Sequence, residues 1–227
     1  MYKYGLCLII FFLLPNSIFA QFGIKGGLAV SALQSSSEDY TPFLGYEVSW
    51  VQDGTSNPLL GLQLGAFYTL NISDDFIFQP EIYFVQRGYQ FDHTPLYNIN
   101  YSLHINYLEF PLLVEYYLPF DWSFYPSINA GIYSSIKLSG NKTISLPDEE
   151  IHGEVSSVND FDYGIVFGIS TEFSAWNGKL IFDLRLNWGL ANVLSQPDDF
   201  ININDDPGTV KTRAVTLMTG YRFNLGL

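Results

Sequence analysis

The sequence is almost without cysteine, poor in charge and lacking in long apolar runs, and each shortage narrows what the chain can be. The one cysteine, Cys7, falls inside an amino-terminal signal, so residues 21–227 carry no thiol. That removes a disulfide framework, a cysteine nucleophile and cysteine ligands at once. Charged residues make up only 15% of the chain. Past residue 20, no stretch supplies the roughly twenty consecutive apolar residues that a membrane-spanning helix needs. Basic residues are few: 10 against 23 acidic ones, for a net charge of −13, which argues against nucleic acid as a partner. Only three histidines occur, His93, His104 and His152, in or beside long connections, and no serine stands in a nucleophile elbow with them. The sequence therefore reads as non-enzymatic, with no cofactor and no metal site.

What is abundant is aromatic residues, at 17%, and strict alternation. Met1–Ala20 has the form of a cleaved secretory signal: Lys3 near the start, an apolar run from Gly5 to Leu14, then Pro15 and a short segment ending in Ala20. Loss of Lys3 takes the charge from −13 to −14. Residues 21–227 are then one domain. In NYLEFPLLVEYYL, from Asn106 to Leu118, one parity is Leu108, Phe110, Leu112, Val114, Tyr116 and Leu118. The other holds Glu109 and Glu115. Successive side chains of a strand point to opposite faces, so this segment has one apolar face and one face bearing carboxylates. A soluble sheet would bury the apolar face, whereas a membrane barrel turns it to lipid and keeps the charges inside.

Eight segments of about the length of a tilted bilayer crossing show the pattern. They are Phe22 to Ser31, Leu60 to Asn71, Phe76 to Gln90, Asn106 to Leu118, Phe124 to Leu138, Phe161 to Phe173, Leu180 to Leu190, and Thr212 to Phe223. Their connections alternate in length. Ile72 to Asp75, Pro119 to Ser123 and Ser174 to Gly178 are short, the last containing the turn pair Asn177-Gly178. Ala32 to Leu59, Phe91 to Ile105, Ser139 to Asp160 and Ala191 to Lys211 are long. Outer-membrane barrels have short periplasmic turns and long outer loops, whereas a soluble eight-stranded lipid carrier has no reason to sort its loops this way. The expected fold is all-β: an eight-stranded, antiparallel, up-and-down transmembrane barrel in the cell outer membrane, with both termini periplasmic.

The segments FGIKGGLAVS, QPEIYFVQRGYQ, NYLEFPLLVEYYL, FYPSINAGIYSSIKLSG, FDYGIVFGIS, LRLNWGLANV and TGYRF resemble the PorT-like outer-membrane β-barrel proteins of the Bacteroidetes group over nearly all of residues 21–227. The resemblance implies the same location. It also implies a candidate role as an accessory of protein secretion, with outer-membrane lipid and envelope or secretion-machinery proteins as partners. There are two departures. Glu115 stands where the resemblance leads one to expect a basic residue, and Phe223 is followed by Asn224-Leu225-Gly226-Leu227 rather than ending the chain, which displaces the assembly signal.

By parity the interior holds the acids Glu81, Glu109, Glu115, Asp162, Glu172 and Asp183 and the bases Lys25, Arg87, Lys137, Arg185 and Arg222. An eight-stranded barrel is just wide enough for its side chains to fill it, so these groups are expected to pair across the lumen and close it. The competing reading is a small porin-like transport barrel. Pro80, Pro111 and Pro126 fall within strands and remove ladder donors; a bulge or a strand end accounts for the first and last, while Pro111 lies mid-strand. Trp122 and Trp176 in the short turns are expected interfacial anchors. The long loops carry the acidic excess: Glu38, Asp39, Asp148 to Glu150, Asp198, Asp199, Asp205 and Asp206. Asn202 to Gly208 spaces oxygen donors like a calcium loop. However, Pro207 and Arg213 occupy the positions where that motif needs glycine and glutamate, so a solvated turn is expected. Divalent cations bridging the loop carboxylates to anionic headgroups are a further expectation.

Overall fold

The alternation read from the sequence folds into strands whose two faces differ sharply. In the second, Gln63 is 4% exposed between Leu62 at 57% and Leu64 at 64%. The computed structural model describes residues 20–35, 57–91, 100–120, 123–146, 149–155, 158–193 and 209–224. It contains β1 (Ala20–Ser35), β2 (Asn57–Asn71), β3 (Phe76–Phe91), β4 (Asn100–Tyr117), β5 (Tyr125–Ser145), β6 (Glu150–Glu154), β7 (Phe161–Ala175), β8 (Gly178–Gly189) and β9 (Val210–Phe223). All pairings are antiparallel. Each ring strand pairs with the next in sequence, β5 with β7, and β1 with β9, so eight of the strands close on themselves. Closure satisfies every edge, which a bilayer demands of any sheet that crosses it. No helix among the described residues is long and apolar enough to span a membrane.

The expected eight-stranded barrel is therefore present, with one addition. The connection from Ser139 to Asp160 is not a plain loop: β5 runs on to Ser145, and β6 folds back on Asn141–Ser145. β4 likewise starts at Asn100 rather than Asn106 and pairs with this extension. These residues escaped the parity reading because a strand beyond the bilayer has no lipid face, so Ser139-Gly140-Asn141-Lys142-Thr143 shows no alternation.

Local details also differ from expectation. The hairpin between β7 and β8 turns on Trp176-Asn177, with Ala175 paired to Gly178, so the loop lies one residue before the expected Asn-Gly pair. Trp176 takes φ 50°, a left-handed conformation that is strained for a bulky residue. Pro80 causes no bulge. Pairing to β2 lapses between Phe78 and Glu81 and resumes in the same register, and pairing to β4 lapses between Pro80 and Tyr83, opposite Pro111. Pro80 thus falls in the gap toward β2 and Pro111 in the separate gap between β3 and β4, where their missing donors are not needed. Pro126 sits at the start of β5, the expected strand end.

Aromatic rings collect at the turn end of the wall. Phe22 stacks on Phe223 (6.2 Å), Phe223 meets Tyr221 edge-on (5.0 Å), and Tyr221 reaches Trp176 (6.4 Å). Phe124, Phe173 and Phe182 continue the belt at 5.6 and 5.9 Å. Amphipathic rings at the level of the headgroups mark the edge of the hydrocarbon, and Trp176, 95% exposed, is placed as the anchor expected of it. The signal segment as far as Phe19, Trp122, His93, Glu38, Asp39, Asp148, Asp198, Asp199, Asp205, Asp206, the segment Asn202 to Gly208 and the last three residues lie outside the described residues.

Candidate functional site

The inside of the barrel is the place where this chain concentrates its chemistry. Room is made by pairing large side chains with glycines across the strands. Phe67 lies over Gly23, where an added methyl group would sit 2.2 Å from its ring. Tyr83 lies over Gly65 and Tyr133 over Gly164 in the same way, so the rings occupy the volume the glycines leave.

The charges are arranged in layers along the axis. Nearest the turns, Arg222 bonds Glu172 (2.5 Å) and the Tyr117 hydroxyl (3.2 Å), while Lys179 reaches the same carboxylate at 3.0 Å. Just above, the Glu115 carboxylate accepts from Ser127, and no cation lies within 4 Å of it among the described residues. The central layer is the densest. Lys25 bonds Asp183 at 2.8 Å and approaches Glu81 at 3.5 Å. Arg185 forms a fork to Glu81 and a second fork to Asp183 on its own strand (3.0 and 2.5 Å). Gln79 donates to Glu81 at 2.7 Å, and Lys25 sits 4.6 Å from the Phe67 ring centre. Bidentate guanidinium–carboxylate pairs are the strongest of these contacts and fix the geometry of the layer.

In the next layer Arg87 bridges Glu109 and Asp162, the latter at 3.5 Å. Ser135 donates to Glu109 (3.0 Å) and Tyr133 to Asp162 (3.2 Å). Each buried ion carries a desolvation cost of several kcal/mol, which only such mutual pairing offsets.

Beyond this layer polarity ends. Leu33, Tyr89, Leu103, Ile105 and Tyr107 from the strands close on Val155, Val158, Val193 and Val210 in one buried cluster. The segment carrying Val155 and Val158 is held over the mouth by hydrogen bonds from Val155 N–H to Gly140 O (3.0 Å) and from Asn159 N–H to Val193 O (2.8 Å).

Ten of the eleven interior residues expected from parity therefore lie in the lumen layers. Lys137 does not pair there. Its ammonium donates to the Val158 carbonyl (2.5 Å) and meets Asp160 at 2.9 Å, so it fastens the stopper instead of balancing a lumen acid. Its height on β5, above Ser135, explains this: no lumen carboxylate stands at that level. Lys179 and Tyr117 supply contacts that parity had not assigned. The apolar stopper was also missed, although Leu103, Ile105 and Tyr107 occupy the otherwise polar parity of β4 and so carried a readable signal. Of the histidines, His104 is exposed on β4 and His152 lies on β6, 3.1 Å from Thr143 and 3.7 Å from Glu150.

A closed antiparallel ring with a lipid-facing apolar wall and a charged, filled interior is the architecture of an outer-membrane protein, and the family model for the outer membrane protein beta-barrel domain matches residues 15–195. The chain belongs to that family. Three solved structures are similar in shape. Ail of Yersinia pestis, in complex with the heparin analogue sucrose octasulfate, is 16% identical, with 90% of this chain and 99% of that chain covered and a TM-score of 0.39. Neisserial surface protein A is 14% identical, with 91% and 99% covered and a TM-score of 0.44. An outer membrane channel from Pseudomonas putida is 9% identical, with 92% and 97% covered and a TM-score of 0.30. No curated protein matches the sequence. Membership of the family places the chain in the outer membrane.

Proposed function

We propose that this outer-membrane barrel is a non-catalytic interaction protein with a sealed lumen, its termini and short turns on the periplasmic side and its long loops at the cell surface. One observation carries the reading: the bore is filled by successive ion-pair layers and then closed by the apolar cluster around Leu103, Ile105 and Val158. Such a lumen gives an ion no continuous wet path, which disfavours the porin-like alternative. The sorting of connections supports the orientation, since the ends of β1 and β9 share a rim with the short turns at Ile72–Asp75 and Trp176-Asn177. The resemblance to PorT-like proteins makes the secretion machinery of the envelope the first class of partner to look for.

The test is conductance of the refolded barrel in planar bilayers. A flat baseline is expected; a large, steady, ohmic conductance would overturn the sealed-lumen reading. For the partner, affinity purification from native outer membranes in mild detergent, followed by mass spectrometry, should return secretion subunits reproducibly. Recovery of the barrel alone would remove the secretion role.

A further inference from the structure

In the ring strands, taking β5 up to Leu138, every carboxylate and all cations but two point inward. The exceptions are Lys211 and Arg213, both on β9 and on the parity of Val215 and Leu217, whose side chains face lipid. A charge on a lipid-facing wall is costly at mid-bilayer and tolerated near the interface, so the height of this pair decides its meaning. Arg213 lies ten residues from Phe223 of the turn-side aromatic belt. At a rise of about 3.3 Å per residue and a tilt of about 40°, that places it roughly 25 Å along the axis, the height of the apolar band of such barrels. Arg213 is thus at the opposite headgroup level.

The site is built rather than incidental. Trp188 of β8 is the cross-strand partner of Arg213, and the guanidinium lies 4.1 Å from its ring centre. Nη1 of Arg213 donates to the carbonyls of Gly189 and Thr212, both at 2.9 Å, which ties down one end of the fork. Nη2 makes no hydrogen bond among the described residues. Lys211, two residues nearer the loops and on the same face, adds a second positive charge, and Trp188 is half-exposed to the membrane interface. In a chain of net charge −13, two cations with no carboxylate beside them among the described residues, next to an interfacial tryptophan, form a local field of the opposite sign.

We propose that Lys211, Arg213 and Trp188 form a binding site for the phosphate of a membrane lipid at the loop-side rim of the barrel. The Nη2 corner of a fixed guanidinium and an adjacent ammonium match phosphate oxygens, while the indole packs on the first carbons below the headgroup. The site itself rests on the barrel crossing a bilayer. Which lipid fills it rests on the proposed orientation, since loops at the cell surface put the site in the outer leaflet and its phosphorylated glycolipid.

The test is native mass spectrometry of the purified full chain in mixed micelles. The probes are bis-phosphorylated lipid A, the same lipid stripped of its phosphates, and phosphatidylglycerol. Folding of every variant is checked by heat-dependent gel migration. The wild type should retain the phosphorylated lipid A about tenfold or more over the stripped form. In K211Q/R213Q that preference should vanish, and in R213K it should persist in part. Equal retention of the two forms by the wild type, or an unchanged preference in the double variant, would overturn the site. A preference for phosphatidylglycerol over lipid A, abolished by the same double variant, would uphold the phosphate site and overturn the outward placement of the loops.

Discussion

Arg185 and Glu115 show how differently two buried charges can be held within one lumen. Arg185 satisfies two carboxylates through two forks, so Arg185→Ala leaves Glu81 and Asp183 facing each other with only Lys25 to share. The expected loss is about 3–5 kcal/mol in urea unfolding from detergent micelles. Glu115 has no ion-pair partner within 4 Å among the described residues and bonds Ser127 alone. Glu115→Gln preserves an acceptor for that hydroxyl and should cost less than about 1 kcal/mol in the same measurement. Comparable losses for the two variants would mean that the lumen is not organised by its ion pairs. Parity alone placed both residues inside, because alternation fixes the face of every residue in a strand. It could not say that one would be gripped and the other merely accommodated, since that depends on heights set by the registers of several strand pairs.

At the scale of elements, the strands were legible wherever both a lipid face and a lumen face exist. The alternation from Leu180 to Trp188 predicted β8 almost to its ends. Where strands leave the membrane the signal disappears, which is why the sequence shows only a loop pattern at β6 and the upper parts of β4 and β5. The stopper is a related case: its residues come from four strands and two connections, and no local pattern announces that they meet. Lys137 is the element-level fastening, joined to Val158 and Asp160 by its ammonium and to the Asp160 carbonyl by its own N–H at 2.8 Å. Lys137→Met keeps the backbone bond and removes the other two contacts. Hydrogen exchange should then be about tenfold faster at the amides of Asn159 and Val193, as expected for the loss of one net hydrogen bond, with β7 unchanged. Uniform protection would show that the stopper stands without its lysine.

For the whole molecule, the ion pairs are screened from salt by the wall around them. Surface charge interactions fade over a Debye length of about 10 Å at 0.1 M salt, whereas buried pairs are little affected. Raising sodium chloride from low concentration to about 1 M should therefore leave the unfolding midpoint in detergent nearly constant; a marked fall would place the stabilising charges at the surface instead. The last feature to weigh is the seam between β1 and β9, which zips Phe22 to Phe223 and Ser35 to Val210. These partners are separated by almost the whole chain, so the ring cannot be completed until the final strand arrives, and closing so long a loop is slow. Until then the growing sheet has two open edges and a greasy outer wall, a combination that invites aggregation in water. A barrel whose edges are all paired once closed is thus at its most vulnerable to aggregation before its last strand docks.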